Sequence, residues 1–333
     1  MNKILFSTIA LLGAIFSLSA QGEQVQASDI KTQNLVKPVH IRMAALKGPT
    51  AFGMIRMIDQ VKSPGNGITI SYELVATPQD MVARISSGQV DIAAMPVNLA
   101  AKLYNKMGAK GYAIGASVGD GVIYALTTSK DNITWESFRG KTINSIAKGS
   151  TPDYLTQYVL NGRGLKEGKD VTLRFTYSHQ QLAQMMAAGK IDNAILPEPL
   201  VTMVLNKNPQ ARIFSDMQKE WGELSGTGHN YPISLAVVSP KITNKKALDA
   251  IFSAYEESIE WVLNNPEKAA SAIERQGIMP AAIALKAIPR CNLNFSKPAE
   301  IKKELELFYD VLFRFDPASI GGKLPDDQFY LEY

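Results

Sequence analysis

Two loops of this chain combine glycine with hydroxyl-bearing residues at the start of a predicted helix. Gly48-Pro49-Thr50 and Gly149-Ser150-Thr151 each follow an apolar, strand-like run. Glycine lets backbone N–H groups approach a ligand, hydroxyls donate hydrogen bonds, and a helix N-terminus carries roughly half a positive charge. Placed across a cleft, the two loops could hold one small polar or anionic group from both sides. The alternative is that Thr50 and Thr151 only cap their helices.

Two other segments place polar residues directly after a predicted strand. Asn98 follows Pro96-Val97, and Glu198 lies between Pro197 and Pro199, just after the corresponding strand of a later segment. Asn98 can donate or accept a hydrogen bond, Glu198 can accept one from an amine or a ring N–H, and each can instead cap the next helix. His229 precedes a further predicted strand and could line the same cleft near the hinge. The candidate ligand-binding residues are Gly48, Pro49, Thr50, Pro96, Asn98, Gly149, Ser150, Thr151, Glu198 and His229.

Signatures of an enzyme are few. Gly115-Ala116-Ser117-Val118-Gly119 matches the G-x-S-x-G motif of serine hydrolases, and His229 follows later in the chain. That motif joins a strand to a helix, whereas Gly121 here leads into strand-like residues 122–128. The three histidines have no metal-ligand spacing, and the sequence contains no phosphate-binding loop. We therefore predict a protein that is not an enzyme and has no metal or cofactor; a secreted serine hydrolase using Ser117 is the alternative.

The two sets of loops belong to an internal repeat. Residues 88–99 return as residues 189–200, with Gly, Asp, Ala, Pro and Leu in the same places. The offset between the two aspartates is 192 − 91 = 101, and it also aligns residues 47–50 with residues 148–151. Repeats of solenoids and propellers run about 20–50 residues, so this period indicates two related domains. We expect the Gly and Asp of the repeat to turn a helix into a strand.

The elements that position these loops alternate between strand and helix. The first copy predicts strands at 39–45, 68–75 and 90–95, a helix after Thr50 and another over 78–87. The second copy predicts the same order over 141–196, followed by a loop-rich passage at 210–229, a strand at 233–239, and helices at 245–264, 266–276 and 298–315. This order predicts the α/β class, with two Rossmann-like lobes, a ligand cleft and two crossover hinge strands. The predicted domains are a signal peptide at 1–20, a discontinuous lobe 1 at 38–127 plus 237–333, and lobe 2 at 128–236.

The beginning of the chain follows the pattern of a secretory signal. Lys3 precedes an apolar run over residues 4–18, and Ser19-Ala20 offers small residues for cleavage, with cleavage after Ala27 as an alternative. The only cysteine is Cys291, so we predict no intramolecular disulfide and no lipid on an N-terminal cysteine. Removal of residues 1–20 leaves a formal charge of 34 − 31 = +3, which argues against nucleic-acid binding. A periplasmic, freely diffusing monomer is the expectation.

Several motifs together resemble one family. They are the export signal, the repeated Gly-x-(Val/Ile)-Asp, residues 131–143 (DNITWESFRGKTI), residues 260–270 (EWVLNNPEKAA) and residues 321–325 (GGKLP). This set resembles the solute-binding proteins of ABC importers, in the branch that includes nitrate, alkanesulfonate, taurine and thiamine-pyrimidine-precursor binders. The cysteine-rich motif of the eukaryotic pyrimidine synthases in the same superfamily is missing from the sequence.

The resemblance implies a type II periplasmic-binding fold, in which two lobes close on a solute and present it to a membrane permease and its ATPase. It also implies that Gly48 to Thr50 and Gly149 to Thr151 lie at the cleft. We therefore expect capture of a small polar or anionic solute of the sulfonate, nitrate-like or pyrimidine-precursor class. An exported solute sensor or adhesion subunit is a further alternative.

Overall fold

Two five-stranded sheets form the framework of the part of the chain that the computed structural model describes, residues 39–65, 67–108 and 111–333. The first sheet is built from β1 (Val39–Leu46), β2 (Ile68–Val75), β3 (Ile92–Pro96), β4 (Ala113–Asp120) and β10 (Pro232–Val238), in the order β2-β1-β3-β10-β4. The second is built from β5 (Ile123–Thr127), β6 (Thr142–Asn144), β7 (Thr172–Arg174), β8 (Asn193–Pro197) and β9 (Arg212–Asp216), in the order β7-β6-β8-β5-β9. The predicted signal peptide lies outside the described residues.

Both sheets are mixed in the same way. In the first, β1 pairs in parallel with β2 and β3, and β10 runs antiparallel to β3 and β4. In the second, β6 pairs in parallel with β7 and β8, and β5 runs antiparallel to β8 and β9. Each sheet therefore contains one strand, β10 or β5, that runs in the opposite direction to its neighbours. The predicted α/β class with two Rossmann-like lobes is confirmed.

Helices cover both faces of the two sheets. They are α1 (Pro49–Gly53), α2 (Ile55–Gln60), α3 (Pro78–Ser86), α4 (Val97–Met107), α5 (Thr151–Gly162), α6 (His179–Ala187), α7 (Leu200–Lys207), α8 (Met217–Ser225), α9 (Lys245–Asn264), α10 (Pro266–Arg275), α11 (Ala281–Ala287) and α12 (Pro298–Phe315). Within the described ranges, none of these helices has the length and apolar character that a membrane crossing requires.

The strand β5 illustrates how the core forms. Ile123 and Ala125 lie in the cluster that includes residues of α5 and α8, while Tyr124 and Leu126 lie in the cluster formed with α6 and α7. A strand buried on both faces is apolar at nearly every position, which is why Ile123 to Leu126 of β5 show no alternation of polar and apolar residues.

The repeat is visible in the structure at the same offset. The helices α3 and α6 begin 179 − 78 = 101 residues apart, and the strands β3 and β8 begin 193 − 92 = 101 residues apart. Gly88 and Gly189 end their helices with the same positive φ of 67°, a conformation that favours glycine. Asp91 accepts hydrogen bonds from Arg42, and Asp192 accepts one from the hydroxyl of Thr128. The expected structural role of these Gly and Asp residues is confirmed.

Strand pairing differs from the predicted lobe boundaries. The boundaries at 127/128 and 236/237 assign β5 to lobe 1 and most of β10 to lobe 2, but β5 pairs in the second sheet and β10 pairs in the first. Both strands are apolar except for Thr127 and Ser234, so their local pattern does not distinguish one sheet from the other. The chain changes sheet at Gly121, where a Cβ would lie 2.4 Å from the ring of Tyr231. We therefore propose lobe boundaries near residues 121 and 231.

The passage at 210–229 contains more regular structure than expected. It holds β9 and α8, and Asp216 caps α8 by accepting hydrogen bonds from the backbone N–H groups of Gln218 and Lys219. The ring of Phe308, on α12, stacks on Tyr231 at a centroid distance of 4.9 Å and meets Trp221 of α8 at 5.2 Å. This aromatic cluster packs α12 against α8 and against Tyr231, the residue before β10.

Candidate ligand site where the two sheets meet

The predicted loops of lobe 1 lie at one edge of the first sheet. Ala45 of β1 pairs in parallel with Ala94 of β3, so the loop after β1, which contains Gly48, lies beside Pro96 at the end of β3. Pro96 in turn pairs with Ser234 of β10. This edge is therefore the one from which the chain crosses to the second sheet.

The second sheet repeats the arrangement. Asn144 of β6 pairs in parallel with Ala194 of β8, which brings the loop at 145–150 next to Pro197 and Glu198. Pro197 pairs with Ile123, the first residue of β5 after the crossover. Both sets of predicted loops thus lie at the edges that the crossover joins, which is where ligands bind in open α/β sheets.

The loop after β6 and the first residue of α5 carry two hydroxyls that lack hydrogen bonds. Ser145 is 1% exposed and Thr151 is 4% exposed, and neither Oγ of Ser145 nor Oγ1 of Thr151 has a partner among the described residues. An unpaired buried hydroxyl costs about 1–3 kcal/mol. Thr151 does not cap α5, because Ser150 occupies the N-cap position. The sequence analysis did not select Ser145, although its position directly after a strand could have indicated a site residue.

The same loop has a constrained backbone. Ala147 has a φ of 52° and Gly149 one of 74°, and the positive value is unfavourable for alanine by about 1 kcal/mol. The hydroxyl of Ser150 donates to the carbonyl of Ala147 at 2.5 Å, and the N–H of Gly149 donates to Asp153 Oδ2 at 2.8 Å. These contacts hold the turn while leaving the side chain of Thr151 unpaired.

Each loop also carries an exposed lysine that sequence reasoning did not select. Lys47 precedes Gly48, Lys148 precedes Gly149, and both are exposed. The Nζ atom of Lys148 lies 5.9 Å from the ring centroid of Phe175. The repeat could have pointed to both lysines, because 148 − 47 = 101 is the offset of the repeat. They add positive charge beside the glycine loops.

The lobe 1 loop uses glycine for its geometry. Gly48 is the N-cap of α1 with a φ of 128°, which is available to glycine, and its side-chain position is open. Pro49 is the first helical residue, and Thr50, the second, is buried without capping the helix. Pro96 is the N-cap of α4, and Asn98 is a partly buried residue of its first turn.

Glu198 is already bound by other residues. Its side chain is fully buried, and its carboxylate accepts hydrogen bonds from the backbone N–H and the hydroxyl of Thr202 at 3.1 and 3.0 Å. Arg290, from the 3-10 turn at Ile288–Arg290, donates to it from Nε at 2.5 Å. Burial raises the pKa of Glu198, and the Arg290 guanidinium opposes that rise. These contacts describe an ion pair within the protein.

His229 is exposed in the segment that leads into β10. Its backbone N–H donates to the hydroxyl of Thr227, and its carbonyl accepts from the same hydroxyl. The carbonyl oxygen lies close to Gly222 of α8. The structure thus places His229 against α8, and no described contact joins its ring to the loops above.

Asp120 is a further polar residue of this junction that sequence reasoning missed. It is the last residue of β4, and its Oδ2 accepts a hydrogen bond from Asn294 Nδ2 at 3.2 Å. Burial raises the pKa of Asp120 to about 6. The available signal was an acid between Gly119 and Gly121, at the break between two apolar strands.

The hydrolase alternative has no support in the geometry. Ser117 lies inside β4, is fully buried, and its Oγ is 3.4 Å from the carbonyl oxygen of Ser234. The strand continues to Asp120 and leads to β5, so the strand-to-helix turn that exposes a nucleophilic serine is not formed. No group of three or more metal-ligating side chains occurs in the described part of the chain.

A surface cavity of about 380 Å³ lies apart from these loops, between α8 and the 3-10 turn at Trp135–Phe138. Its polar groups pair with one another, because Trp135 Nε1 and Ser215 Oγ donate to one oxygen of Glu220 and Arg163 Nε donates to the other. A saturated network offers little to a polar solute. We therefore place the candidate site at the sheet edges.

The family follows from a sequence profile. The profile described as ABC transporter, phosphonate, periplasmic substrate-binding protein matches residues 57–283, more than half of the chain. The chain belongs to this family. Members of this periplasmic substrate-binding protein family are not enzymes; they bind a small molecule and act with membrane components of an ABC transporter.

One relative is similar to part of this chain. The binding protein YtlA of Bacillus subtilis is 24% identical over 149 residues, which are 45% of this substrate-binding protein and 43% of YtlA. The match thus spans less than half the length of that relative.

Solved structures show the same fold. An ABC transporter protein from Parabacteroides distasonis is 24% identical, with a TM-score of 0.78 and coverage of 89% of this chain and 99% of the other. The aliphatic sulphonate binding protein SsuA from Escherichia coli is 15% identical, with a TM-score of 0.67 and coverage of 89% and 95%. The nitrate-binding protein NrtA from Synechocystis is 14% identical, with a TM-score of 0.55 and coverage of 74% and 68%. The predicted type II periplasmic-binding fold is confirmed.

Proposed function

We propose that this protein captures a small solute bearing an oxyanion, of the phosphonate, sulfonate or nitrate type, and delivers it to an ABC importer. The observation that carries the proposal is the pair of buried, unpartnered hydroxyls of Ser145 and Thr151 beside Lys148. An oxyanion only accepts hydrogen bonds, whereas hydroxyl and ammonium groups donate them. Such a solute would satisfy the two hydroxyls, which is the requirement that buried polar groups impose.

Capture requires movement of the lobes and no covalent chemistry. The two segments that join the sheets, at residues 121–122 and 226–231, are the natural hinges, since chain crossings between packed units absorb backbone changes in domain closure. Lys47 and Gly48 of lobe 1 would then approach the solute from the opposite side. We further propose export by the signal peptide at 1–20, release without a lipid anchor, and a monomeric state.

The proposal is tested by calorimetric titration and thermal denaturation with an alkylphosphonate, an alkanesulfonate, nitrate and a neutral aminopyrimidine. A true ligand at 100 times its Kd stabilises the folded state by about 2.7 kcal/mol. Binding of any of the three anions supports the proposal. Binding of the aminopyrimidine alone, or of none of the four solutes, contradicts it.

Two threonines of α5 provide a matched pair for locating the site. Thr151→Val removes an unpartnered hydroxyl, whereas Thr156→Val removes one that is fully buried and donates to the carbonyl of Pro152 at 2.6 Å. We expect Thr151→Val to weaken anion binding about tenfold and to stabilise the unliganded protein by about 1 kcal/mol. Thr156→Val should lose stability and keep its affinity. Equal affinities in the two variants would exclude Thr151 from the site, and Ser145→Ala tests the second hydroxyl in the same way.

A further inference from the structure

A hydrogen bond joins the helix that carries Thr151 to the end of α12. Tyr154, three residues after Thr151 on α5, donates its hydroxyl to Asp316 Oδ2 at 2.7 Å, and its ring stacks on Phe315 at a centroid distance of 6.0 Å. Tyr154 is 5% exposed and Asp316 is partly buried. A hydrogen bond to a charged acceptor is stronger than one between neutral groups, and burial strengthens it further. The contact is therefore able to influence how α5 and α12 are oriented.

The two ends of this hydrogen bond belong to different sheets. The helix α5 follows β6 of the second sheet, whereas α12 packs against β4 and β10 of the first. Tyr309 of α12 donates to a backbone carbonyl at the start of α4 at 3.0 Å, and Asn105, near the end of α4, donates to the carbonyl of Ile320 at 2.7 Å. The chain before and after Asp316 is thus attached to the helix that follows β3. Asp316 moves with the first sheet, and Tyr154 moves with the second.

Tyr154 also contacts the glycine loop of the proposed anion site. Its backbone N–H donates to the carbonyl of Ser150 at 3.1 Å. Its hydroxyl oxygen would lie 3.7 Å from a Cβ added at Gly149, which is ordinary van der Waals contact. The hydroxyl therefore lies between this loop and Asp316, so a displacement of Asp316 acts on the residue that supports the loop.

The hydrogen bond lies away from the proposed hinges. Phe308 of α12 stacks on Tyr231, beside the second crossover, at 4.9 Å. Asp316 follows the last residue of α12, eight residues beyond Phe308, or about 12 Å at 1.5 Å per residue. Rotation of one lobe about the crossovers displaces its atoms in proportion to their distance from them. Opening of the lobes would therefore separate Tyr154 from Asp316 while the contact of Phe308 with Tyr231 persists.

We propose that Tyr154 is a positioning residue of the anion site, whose hydrogen bond to Asp316 forms when the lobes close and holds the loop at 145–151 against the solute. This inference rests on the proposed anion capture. Ser145 and Thr151 are almost inaccessible in the arrangement that contains the hydrogen bond, as expected when a solute is enclosed. A contact raises affinity only if it is stronger in the solute-bound arrangement than in the other. Tyr154 thus increases affinity without touching the solute.

Tyr154→Phe and Tyr158→Phe form a matched pair on one helix. Tyr154→Phe keeps the ring on Phe315 and removes the hydroxyl that donates to Asp316. Tyr158 packs its ring on Trp221 at 5.0 Å, and its hydroxyl has no hydrogen bond within the described part of the chain. Tyr158→Phe therefore removes a hydroxyl from the same helix without breaking a contact between the sheets.

Calorimetric titration with propanesulfonate, propylphosphonate and nitrate measures the effect. We expect Tyr154→Phe to bind any anion that the unmodified protein binds about tenfold more weakly, the lower end for a hydrogen bond to a charged partner. Tyr158→Phe should stay within about twofold, as for a substitution away from specific contacts. Stopped-flow kinetics should place the loss of Tyr154→Phe in a faster dissociation, because the hydrogen bond forms after the solute has entered.

Asp316→Asn provides a second test of the same hydrogen bond. Asp316 Oδ1 accepts from the backbone N–H of Ala318 at 3.0 Å, while Oδ2 accepts from Tyr154. Asparagine has one side-chain oxygen, so it can serve one of these donors and not both. We expect Asp316→Asn to weaken anion binding as Tyr154→Phe does. The double variant should bind no more weakly than the weaker single variant, because both substitutions remove one interaction.

The outcomes separate this inference from the function on which it rests. An unchanged affinity in Tyr154→Phe overturns the inference, and so do equal losses in Tyr154→Phe and Tyr158→Phe. Losses that add in the double variant with Asp316→Asn also overturn it, because the two side chains would then act independently. In each of these cases anion capture by the unmodified protein stands. If the unmodified protein binds none of the three anions, the proposed anion capture is itself contradicted.

Discussion

Replacing Arg290 by methionine tests whether the Glu198 ion pair is structural. Met keeps the length of the aliphatic stem and removes the hydrogen bonds from Nε to Glu198 and from Nη2 to Thr202, both 2.5 Å. The Glu198 side chain is 0% exposed, so the substitution leaves a buried carboxylate without its cation. Breaking a buried ion pair in this way costs about 3–5 kcal/mol.

We expect the lower end of that range, about 3 kcal/mol, for two reasons. The Arg290 side chain is 32% exposed, which weakens its Coulombic interaction, and the N–H and hydroxyl of Thr202 continue to donate to Glu198. For a chain of this size the loss corresponds to a decrease in Tm of roughly 6 °C. Circular dichroism during heating and urea unfolding measures both quantities.

The pH dependence of the loss distinguishes a missing cation from poor packing. Burial already raises the pKa of Glu198 in the folded state, and removal of Arg290 raises it further. A folded-state pKa above the unfolded value means that stability is gained as the pH falls. The loss in the free energy of unfolding of Arg290→Met, the stability deficit, should therefore shrink as the pH falls from about 8 to about 5. A deficit that is constant over this range would point to packing.

Two variants control the experiment. Lys286→Met removes an exposed contact to Asn206 Oδ1, 2.6 Å long, on the neighbouring helix, and should change stability by less than about 0.5 kcal/mol. The double variant Glu198→Gln with Arg290→Met has no buried charge and should recover much of the loss. The reasoning is refuted if Arg290→Met unfolds like Lys286→Met. Glu198 is instead a ligand contact if Glu198→Gln loses solute affinity at unchanged stability.

Three further predictions concern single positions. Asp120→Asn should stabilise the unliganded protein at neutral pH by up to about 3 kcal/mol, because the rise in the pKa of Asp120 from 3.8 to about 6 disfavours its ionised form in the folded state. Urea titrations should show this gain vanish as the pH falls from about 6 to about 4. Gly189→Ala should destabilise the protein by about 1 kcal/mol because φ is 67°, with a smaller loss for Gly189→Asn in the same unfolding assay; equal losses would argue against backbone strain. Ser117→Ala should leave solute affinity unchanged in calorimetry, and a rate of ester hydrolysis that disappears in this variant would restore the hydrolase alternative.

Local patterns were sufficient for most elements and for the repeat. Periods of 2.0 and 3.6 residues are written within a few consecutive positions, so the strand at residues 68–75 and the helix from Lys245 to Asn264 could be predicted with their bounds. The helix α8 was missed because its first turn is polar and its cap is a side chain, that of Asp216, rather than an apolar stripe.

Part of the candidate site could likewise be predicted from the sequence, and part of it could not. The glycine loops at Gly48 and Gly149 could be found from their repetition, and strand pairing places each of them at a sheet edge. Their hydroxyls could not be ranked from sequence, because whether Ser145, Ser150 or Thr151 finds a partner depends on the surrounding backbone.

The amino-acid sequence by itself determined the α/β class, the duplicated order of elements and the family resemblance, because these properties reside in short-range periodicity and in motifs. Only the tertiary structure decided which sheet β5 and β10 join, that Glu198 is neutralised by Arg290, 92 residues away, and that Asp120 meets the amide of Asn294. Pairing between distant strands and the burial of a charge depend on which surfaces meet in space, and the local spacing of residues carries no record of that.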